Sequence, residues 1–140
     1  MTRVIKFRAW HFGLKRMFSA EEMTVDQMAL LPDGHFANIH SANTKLSEIF
    51  SHEEMLPLQF IGFHDKNGKE IYEGDILLWQ EDDCGELAEE ISLVIFERGS
   101  FVRKVKDYAV DTFHDLDTSN NETVIGNVYE NPELIPHEQQ

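Results

Sequence analysis

Leu58-Gln-Phe-Ile-Gly-Phe-His-Asp-Lys-Asn-Gly-Lys-Glu-Ile-Tyr-Glu-Gly-Asp-Ile-Leu-Leu-Trp79 decides the fold class. Phe60-Ile-Gly-Phe63 is a short apolar run of strand-forming residues. Asp65-Lys-Asn-Gly68 interrupts it. Asn67 and Gly68 both tolerate positive φ, so they predict a type I′ hairpin turn, whose twist matches that of the flanking strands. Lys69-Glu-Ile-Tyr72 returns as a second strand. Glu73-Gly74-Asp75 turns the chain again, and Ile76-Leu-Leu-Trp79 reads as a third strand buried on both faces, because its apolar run is continuous. Three strands joined by tight turns predict a meander in a small sheet or barrel. Asn67, Gly68, Gly74 and Asp75 are its structural turn residues. The same segment cannot be a calcium loop, which needs glycine at its sixth position and an acid at its twelfth. Counted from Asp65, the sixth residue is Glu70. With Gly68 as the sixth, Phe63 comes first and Gly74 last.

Toward the N-terminus, Val4-Ile-Lys-Phe-Arg-Ala-Trp10 alternates, with Ile5, Phe7 and Ala9 on one face and Lys6, Arg8 and Trp10 on the other. Beyond Gly13, Leu14-Lys-Arg-Met-Phe18 can return as its hairpin partner. Ser19-Ala-Glu-Glu22 has the order of a capping box, a hydroxyl followed three residues later by an acid. It predicts a short helical turn. Pro32-Asp-Gly34 predicts a second hairpin, with a helix over 21–31 as its rival. Leu46, Ile49 and Phe50 stand at helical spacing and predict one or two turns of helix before Pro57.

Toward the C-terminus, Glu81-Asp-Asp-Cys-Gly-Glu86, with Glu89 and Glu90, is the densest acidic run and reads as a solvated loop. Ile91–Phe96 and Phe101–Val105 read as strands around a turn at Arg98-Gly-Ser100. Asp107–Glu122 is polar, and Thr118-Ser-Asn-Asn-Glu122 reads as a mobile loop. Val124-Ile125 should close the sheet, Gly126 should break it, and Asn131-Pro132 begins a tail. The expected core is Phe60, Ile61, Ile71, Ile76, Leu78, Val94, Phe96 and Val124. The expected division is 1–57 for N-terminal hairpins and a short helix, 58–130 for a barrel and 131–140 for the tail.

Three blocks carry a resemblance: Ile5-Lys-Phe-Arg-Ala-Trp10, Phe60 to Ile76, and Val124-Ile-Gly-Asn-Val-Tyr-Glu-Asn-Pro-Glu-Leu134. In that order the chain resembles the YopX family of phage- and prophage-encoded proteins. The resemblance implies a mainly β fold containing a barrel of the SH3 type, here with an N-terminal hairpin and short-helix extension. It implies no activity, cofactor or catalytic residue. Segments 17–57 and 80–123 lie between the blocks.

At 140 residues, 41% of them hydrophobic and 11% aromatic, the chain can bury a core. No apolar run approaches the roughly 20 residues that cross a bilayer, and the N-terminus lacks the apolar centre of a secretion signal. Cys84 is the single cysteine, so no disulfide forms within the chain, as suits a reducing compartment. The expected location is the cytoplasm. The net charge is −14, which opposes contact with nucleic-acid phosphate. The balance is uneven: Arg3, Lys6, Arg8, Lys15 and Arg16 precede every acid in the chain.

Chemistry-bearing motifs are scarce. Of His11, His35, His40, His52, His64, His114 and His137, none forms the two-histidine zinc motif; His52-Glu53-Glu54 lacks the second histidine. Nothing pairs with Cys84 at metal spacing, and an acidic surround is a poor setting for a thiolate nucleophile. There is no phosphate loop, dinucleotide fingerprint or nucleophile elbow. Asp82 with Asp83, or Glu89 with Glu90, could supply paired carboxylates, but a solvated charged run explains them more simply. No catalytic, cofactor or metal residue is assigned, and the chain reads as a non-enzyme without cofactor.

Two functions remain. One is a protein-interaction module, whose partner is a second copy or a host protein. The Val4–Trp10 strand could pair with an acidic neighbour or within its own chain. The acidic segments, 81–90 and Asp107, Asp111, Asp115 and Asp117, could serve solubility alone or stand in for phosphates in a basic groove. The alternative is a nucleic-acid-binding barrel that uses the basic N-terminal strand.

Overall fold

The computed structural model describes residues 3–39, 46–105, 108–112 and 121–135. Mainly antiparallel β-structure, the chain divides into two compact units: Ile5–Gln59, and Phe60–Gln140 with Met1–Val4.

In the first unit, β1 (Phe7–His11) lies between β2 (Arg16–Phe18) and β6 (Met55–His64), with Ala9 opposite both Phe18 and Pro57. The strand expected from Val4 begins at Phe7, and both of its edges are used within its own chain. Ser19 then starts α1 (Ala20–Val25) through the capping box read from the sequence. Its Oγ accepts from the Glu22 amide at 3.1 Å, and Glu22 Oε1 accepts from the Ser19 amide at 3.2 Å. Gln27, at φ 59°, swings the chain out of the helix into β3 (Met28–Leu30). The rival readings of 21–31 therefore each hold in part, helix first and strand after. β3 pairs with β4 (Phe36–Ile39) across the Pro32–Gly34 turn, Leu30 opposite Phe36.

The helix expected around Leu46–Phe50 is instead β5 (Leu46–Ile49), antiparallel to β4 with Ala37 opposite Ile49. So short a window fits either period, and the free edge of β4 supplies hydrogen bonds that an isolated helical turn would lack. The ladder is extended by the Phe50 amide, which donates to the Phe36 carbonyl at 2.9 Å. Ala9, Met23, Phe36, Phe50 and Met55 form the core of this unit.

In the second unit, the latter part of β6 pairs with β7 (Glu70–Tyr72), Phe60 opposite Tyr72 and His64 opposite Glu70. The turn between them is not type I′. The Asp65 carbonyl accepts from Gly68 N at 3.0 Å, the Asp65 amide donates to Lys69 O at 2.8 Å, and Gly68 alone has positive φ, +84°. This is a type I turn followed by a left-handed glycine. Two-residue turns with both residues at positive φ lie elsewhere, at Cys84-Gly85 (φ 55° and 89°) and Arg98-Gly99 (φ 51° and 82°).

The expected meander also breaks. β8 (Asp75–Asp83) does not pair with β7. It joins a five-stranded sheet of order β11-β10-β9-β8-β12, formed with β9 (Glu86–Glu97), β10 (Ser100–Val105), β11 (Tyr108–Thr112) and β12 (Glu122–Asn127). A tight turn fixes where the chain reverses, not which ladder it then joins. Here the Gly74 amide donates to Val94 O at 2.8 Å and the Gly74 carbonyl accepts from Val128 N at 2.9 Å, which commits the turn to the second sheet. A 3-10 turn, Pro132–Leu134, follows β12, and Ile135 is buried, so the tail stays docked that far.

Ile71, Leu77, Val94 and Val124 form the core of this unit, with Ile61 and Phe63 packed against them. Ile76 and Leu77 are fully buried, whereas Leu78 and Trp79 are half-buried. Phe96, expected inside, is 55% exposed. The β8–β9 ladder begins at Ile76 opposite Leu93, so Phe96 lies past its end. Its ring meets Phe101 edge-on at 5.1 Å. Ile76→Val should therefore cost about 1 kcal/mol. Phe96→Ala, which removes far more atoms, should cost only about as much, since the ring is largely exposed and its main contact is the aromatic pair, worth about 0.5–1.5 kcal/mol. Melting curves of the two variants test this, and a far larger loss for Phe96→Ala would place that ring in the core.

Candidate functional site

The turn residues singled out in the sequence hold the fold. Asp65 Oδ1 accepts from the Asn67 amide at 2.8 Å and the Lys69 amide at 2.9 Å, while Oδ2 accepts from the Val124 amide at 3.0 Å. Lys66 N donates to Glu122 O at 3.0 Å. The Asp65 loop thus covers part of the outer edge of β12, using a carboxylate and one amide where a further strand would otherwise pair. Burial resists charge on Asp65 more than any other single influence. Against it, the amides of Val124, Lys69 and Asn67 and the Lys69 charge together hold its carboxyl below the usual aspartate range.

Asp75 is likewise buried, and its Oδ2 accepts from Tyr72 N at 2.8 Å. Gly74, at φ +91°, faces the Tyr129 ring so closely that a Cβ would lie 2.8 Å from Cε2. The third block is built the same way. Asn127 Oδ1 accepts from the amides of Tyr129 at 3.1 Å and Glu130 at 2.8 Å, and Asn131 Oδ1 accepts from the Asn127 amide at 3.2 Å. At Gly126 a Cβ would sit 2.5 Å from that Asn131 oxygen. Asn67 and Gly68 thus belong to the turn that holds β12, and Gly74 and Asp75 to the separate turn that leads into β8.

Glu122, expected in a mobile loop, is instead a buried member of β12. The Arg103 guanidinium of β10 donates from Nη2 to Glu122 Oε2 at 2.9 Å, and its Nε lies 2.5 Å from Oε1 as an ion-pair contact off the hydrogen-bond angle. Both side chains are under 10% exposed. The remainder of the expected loop, Thr118 to Asn120, and Asp107, Asp115 and Asp117 lie outside the described residues.

The acidic run is not a loop. β8 and β9 continue past their other neighbours as a two-stranded arm: Gln80 opposite Glu89, Glu81 opposite Ala88, Asp82 opposite Leu87 and Asp83 opposite Glu86, closed by Cys84-Gly85. The last β12 pairing with β8 is Glu122 opposite Trp79, beyond which the Gln80 amide still donates to Asn121 O at 3.1 Å, and β10 reaches β9 only as far as Leu93. Residues 80–90 hold six acids, and no lysine or arginine occurs between Lys69 and Arg98. Described side chains of the arm are exposed from Glu81 outward, with Leu87 at 60%. Glu89 and Glu90 are successive strand residues, so their side chains point to opposite faces and cannot act as a carboxylate pair.

The basic N-terminal segment is partly neutralised. Lys6 Nζ lies 2.7 Å from Glu21 Oε1, and Arg16 pairs with Glu22 and stacks over Phe18 at 4.3 Å. The Lys6 hydrogen bond holds the Glu21 carboxyl below its ordinary range. The sequence drew no relation between His35 and His52, yet the fold stacks their rings at 4.4 Å. His52 Nε2 lies 2.8 Å from Gly34 O, and His35 Nδ1 lies 3.1 Å from Asp33 Oδ1. Only the three-dimensional path of the chain joins residues so far apart.

Among known structures, protein EF1440 from Enterococcus faecalis is similar with TM-score 0.62 and 23% identity, over 96% of this chain and 100% of that one. Protein yopX from Bacillus subtilis is similar with TM-score 0.63 and 22% identity, over 93% and 97%. At such identity these likenesses speak for the fold. No curated protein matches the chain. Among the described residues no helix is long and apolar enough to cross a membrane. The family model described as YopX protein matches residues 6–136, a span that holds nearly all of the three blocks whose hydrogen bonds build the sheets. The chain therefore belongs to the YopX family.

Proposed function

We propose that the protein is a non-catalytic interaction module of phage or prophage type. In this reading it is a small SH3-type barrel, working in the cytoplasm, that presents the Gln80–Glu90 arm to a basic segment of a host protein. The arm is the observation that carries the proposal. A two-stranded ribbon is marginal in water without further packing, and among the described residues this one carries exposed acids on both strands, at Glu81 and Asp82 of β8 and Glu86, Glu89 and Glu90 of β9, with no cation in the segment. A cationic partner would neutralise those acids and be steered by the same field. Of the six described buried polar residues, Asp65, Asp75, Arg103, Glu122 and Asn127 are engaged in holding the fold and the sixth is Ser92, which favours a binding role over catalysis. The nucleic-acid alternative is weakened by the net charge of −14 and by the pairing of Arg16 with Glu22 of α1.

The test is a titration of two fluorescent probes, an oligo-arginine peptide and single-stranded DNA, at about 0.1 M salt, where exposed charges are screened beyond about 10 Å. The peptide should bind and the DNA should not. Replacing Glu81, Asp82 and Glu89 by their amides should weaken peptide binding about tenfold, as expected for three exposed charges at roughly 0.2–1 kcal/mol each. Equal binding by that variant would end the reading. Binding of DNA in place of peptide would select the alternative.

A further inference from the structure

We infer that the groove on the Ile5–Gln59 unit binds a small amphiphilic carboxylate, an apolar body carrying one anionic group. The inference does not rest on the acidic arm. The groove is shallow and open along one side, with room for about 390 Å³, comparable to small-molecule sites. The start of β1, α1 and the β3–β4 hairpin form its walls. Phe7, Met23, Met28, Leu30 and Phe36 make the apolar lining, with Met23 and Phe36 almost wholly buried. Two methionines allow that lining to fit a ligand of irregular shape. Ile5, 62% exposed, leaves an apolar lip toward solvent.

The charged groups of the groove are Lys6 and Glu21, 2.7 Å apart, while the Thr24 hydroxyl donates to the Ala20 carbonyl at 2.9 Å. The exposures of the two charged groups decide the sign of the ligand. The Lys6 side chain is 26% exposed and that of Glu21 is 70% exposed. A ligand carboxylate can take the place of Glu21 at the Lys6 ammonium and release Glu21 to water at little loss, since an exposed ion pair contributes little. A cationic ligand would instead have to turn out the more buried partner. The Glu21 carboxylate thus marks the position a ligand anion would occupy. The ligand's apolar body would then leave water for the methionine and phenylalanine wall.

The probe is 4-phenylbutyrate, titrated into the full-length protein and followed by calorimetry and by the methyl NMR signals of Met23 and Met28. Its amine analogue, 4-phenylbutylamine, is the control. Wild-type protein should bind the carboxylate saturably and shift both methyl signals, and the amine should not bind. Lys6→Gln should weaken binding about tenfold. Glu21→Gln should tighten it about threefold, because the competing anion is gone and the exposed glutamine leaves folding intact. This reciprocal pair separates a ligand site from general damage, which would weaken both. The arm variant with Glu81, Asp82 and Glu89 replaced should bind 4-phenylbutyrate like wild type. The inference is overturned if Glu21→Gln leaves affinity unchanged or lower, if the amine binds as well as the acid, or if neither methionine methyl shifts.

Discussion

Glu122→Ala should destabilise the protein by about 3–5 kcal/mol, the cost of leaving a buried guanidinium without its partner. In the sheet order β10-β9-β8-β12, Arg103 and Glu122 stand three strand spacings apart, roughly 14 Å in a flat sheet. Their direct contact requires the sheet to curl until its second and fifth strands approach. The pair closes that curl from within. Replacing both partners by apolar residues, Arg103→Met with Glu122→Leu, should recover most of the loss, because no charge is then stranded. Urea denaturation of the single and double variants measures both effects. A loss below about 1 kcal/mol for Glu122→Ala would mean that water already reaches the pair.

Asp65→Ala should cost about 3 kcal/mol, since it leaves the buried Val124 amide without an acceptor, at about 1–3 kcal/mol, and removes two charge-assisted bonds from the part-buried amides of Asn67 and Lys69. It should also favour aggregation, because part of the β12 edge is uncovered. The pH dependence has a fixed sign. The folded carboxyl titrates below its unfolded value, near 3.9, so its contribution is full above that pH and fades as pH falls through the folded value. Asp65→Asn removes this titration. The gap in melting temperature between wild type and Asp65→Asn should therefore narrow on acidification. A gap constant from about pH 7 to pH 2 would show that the charge contributes nothing.

Local signals in the sequence were legible where the interaction is itself local. The Ser19–Glu22 box spans three residues and states both partners. Pro32-Asp-Gly34 and Asp65–Gly68 announce reversals, and the chain reverses there. What sequence could not assign was the destination of each strand. Gly74-Asp75 predicts a turn whether β8 then pairs with β7 or with β9, and that choice is made by Val94 O and Val128 N, distant in sequence. Turn type failed for a related reason. Asn67-Gly68 has the favoured residues, but the double left-handed geometry went to Cys84-Gly85 and Arg98-Gly99, where long strands demand matching twist.

Composition misled at the acidic run, since charge says where side chains go and little about the backbone beneath them. The groove lining was equally hidden. Lys6 and Glu21 look like ordinary surface charges until α1 folds back beside the start of β1, and Met23, Met28 and Phe36 share no periodicity that would unite them. Glu122 lies 19 residues from Arg103, with a polar stretch between. No sequence window joins the two.

Strand β6 has a consequence for inheritance. Residues 55–59 of this single strand pair with β1, and residues from Phe60 onward pair with β7, so the boundary between the two units falls within one continuous strand. Genetic exchange that shuffles cassettes works best where a crossover falls in a loop, because each half then keeps its ladders whole. A crossover at this boundary would splice two half-strands of unrelated register, and a one-residue slip would invert every side chain beyond it. Recombination should therefore pass the Ile5–Gln59 and Phe60–Gln140 segments on together, while the tip of the β8–β9 arm, which pairs with no further strand among the described residues, is free to diversify.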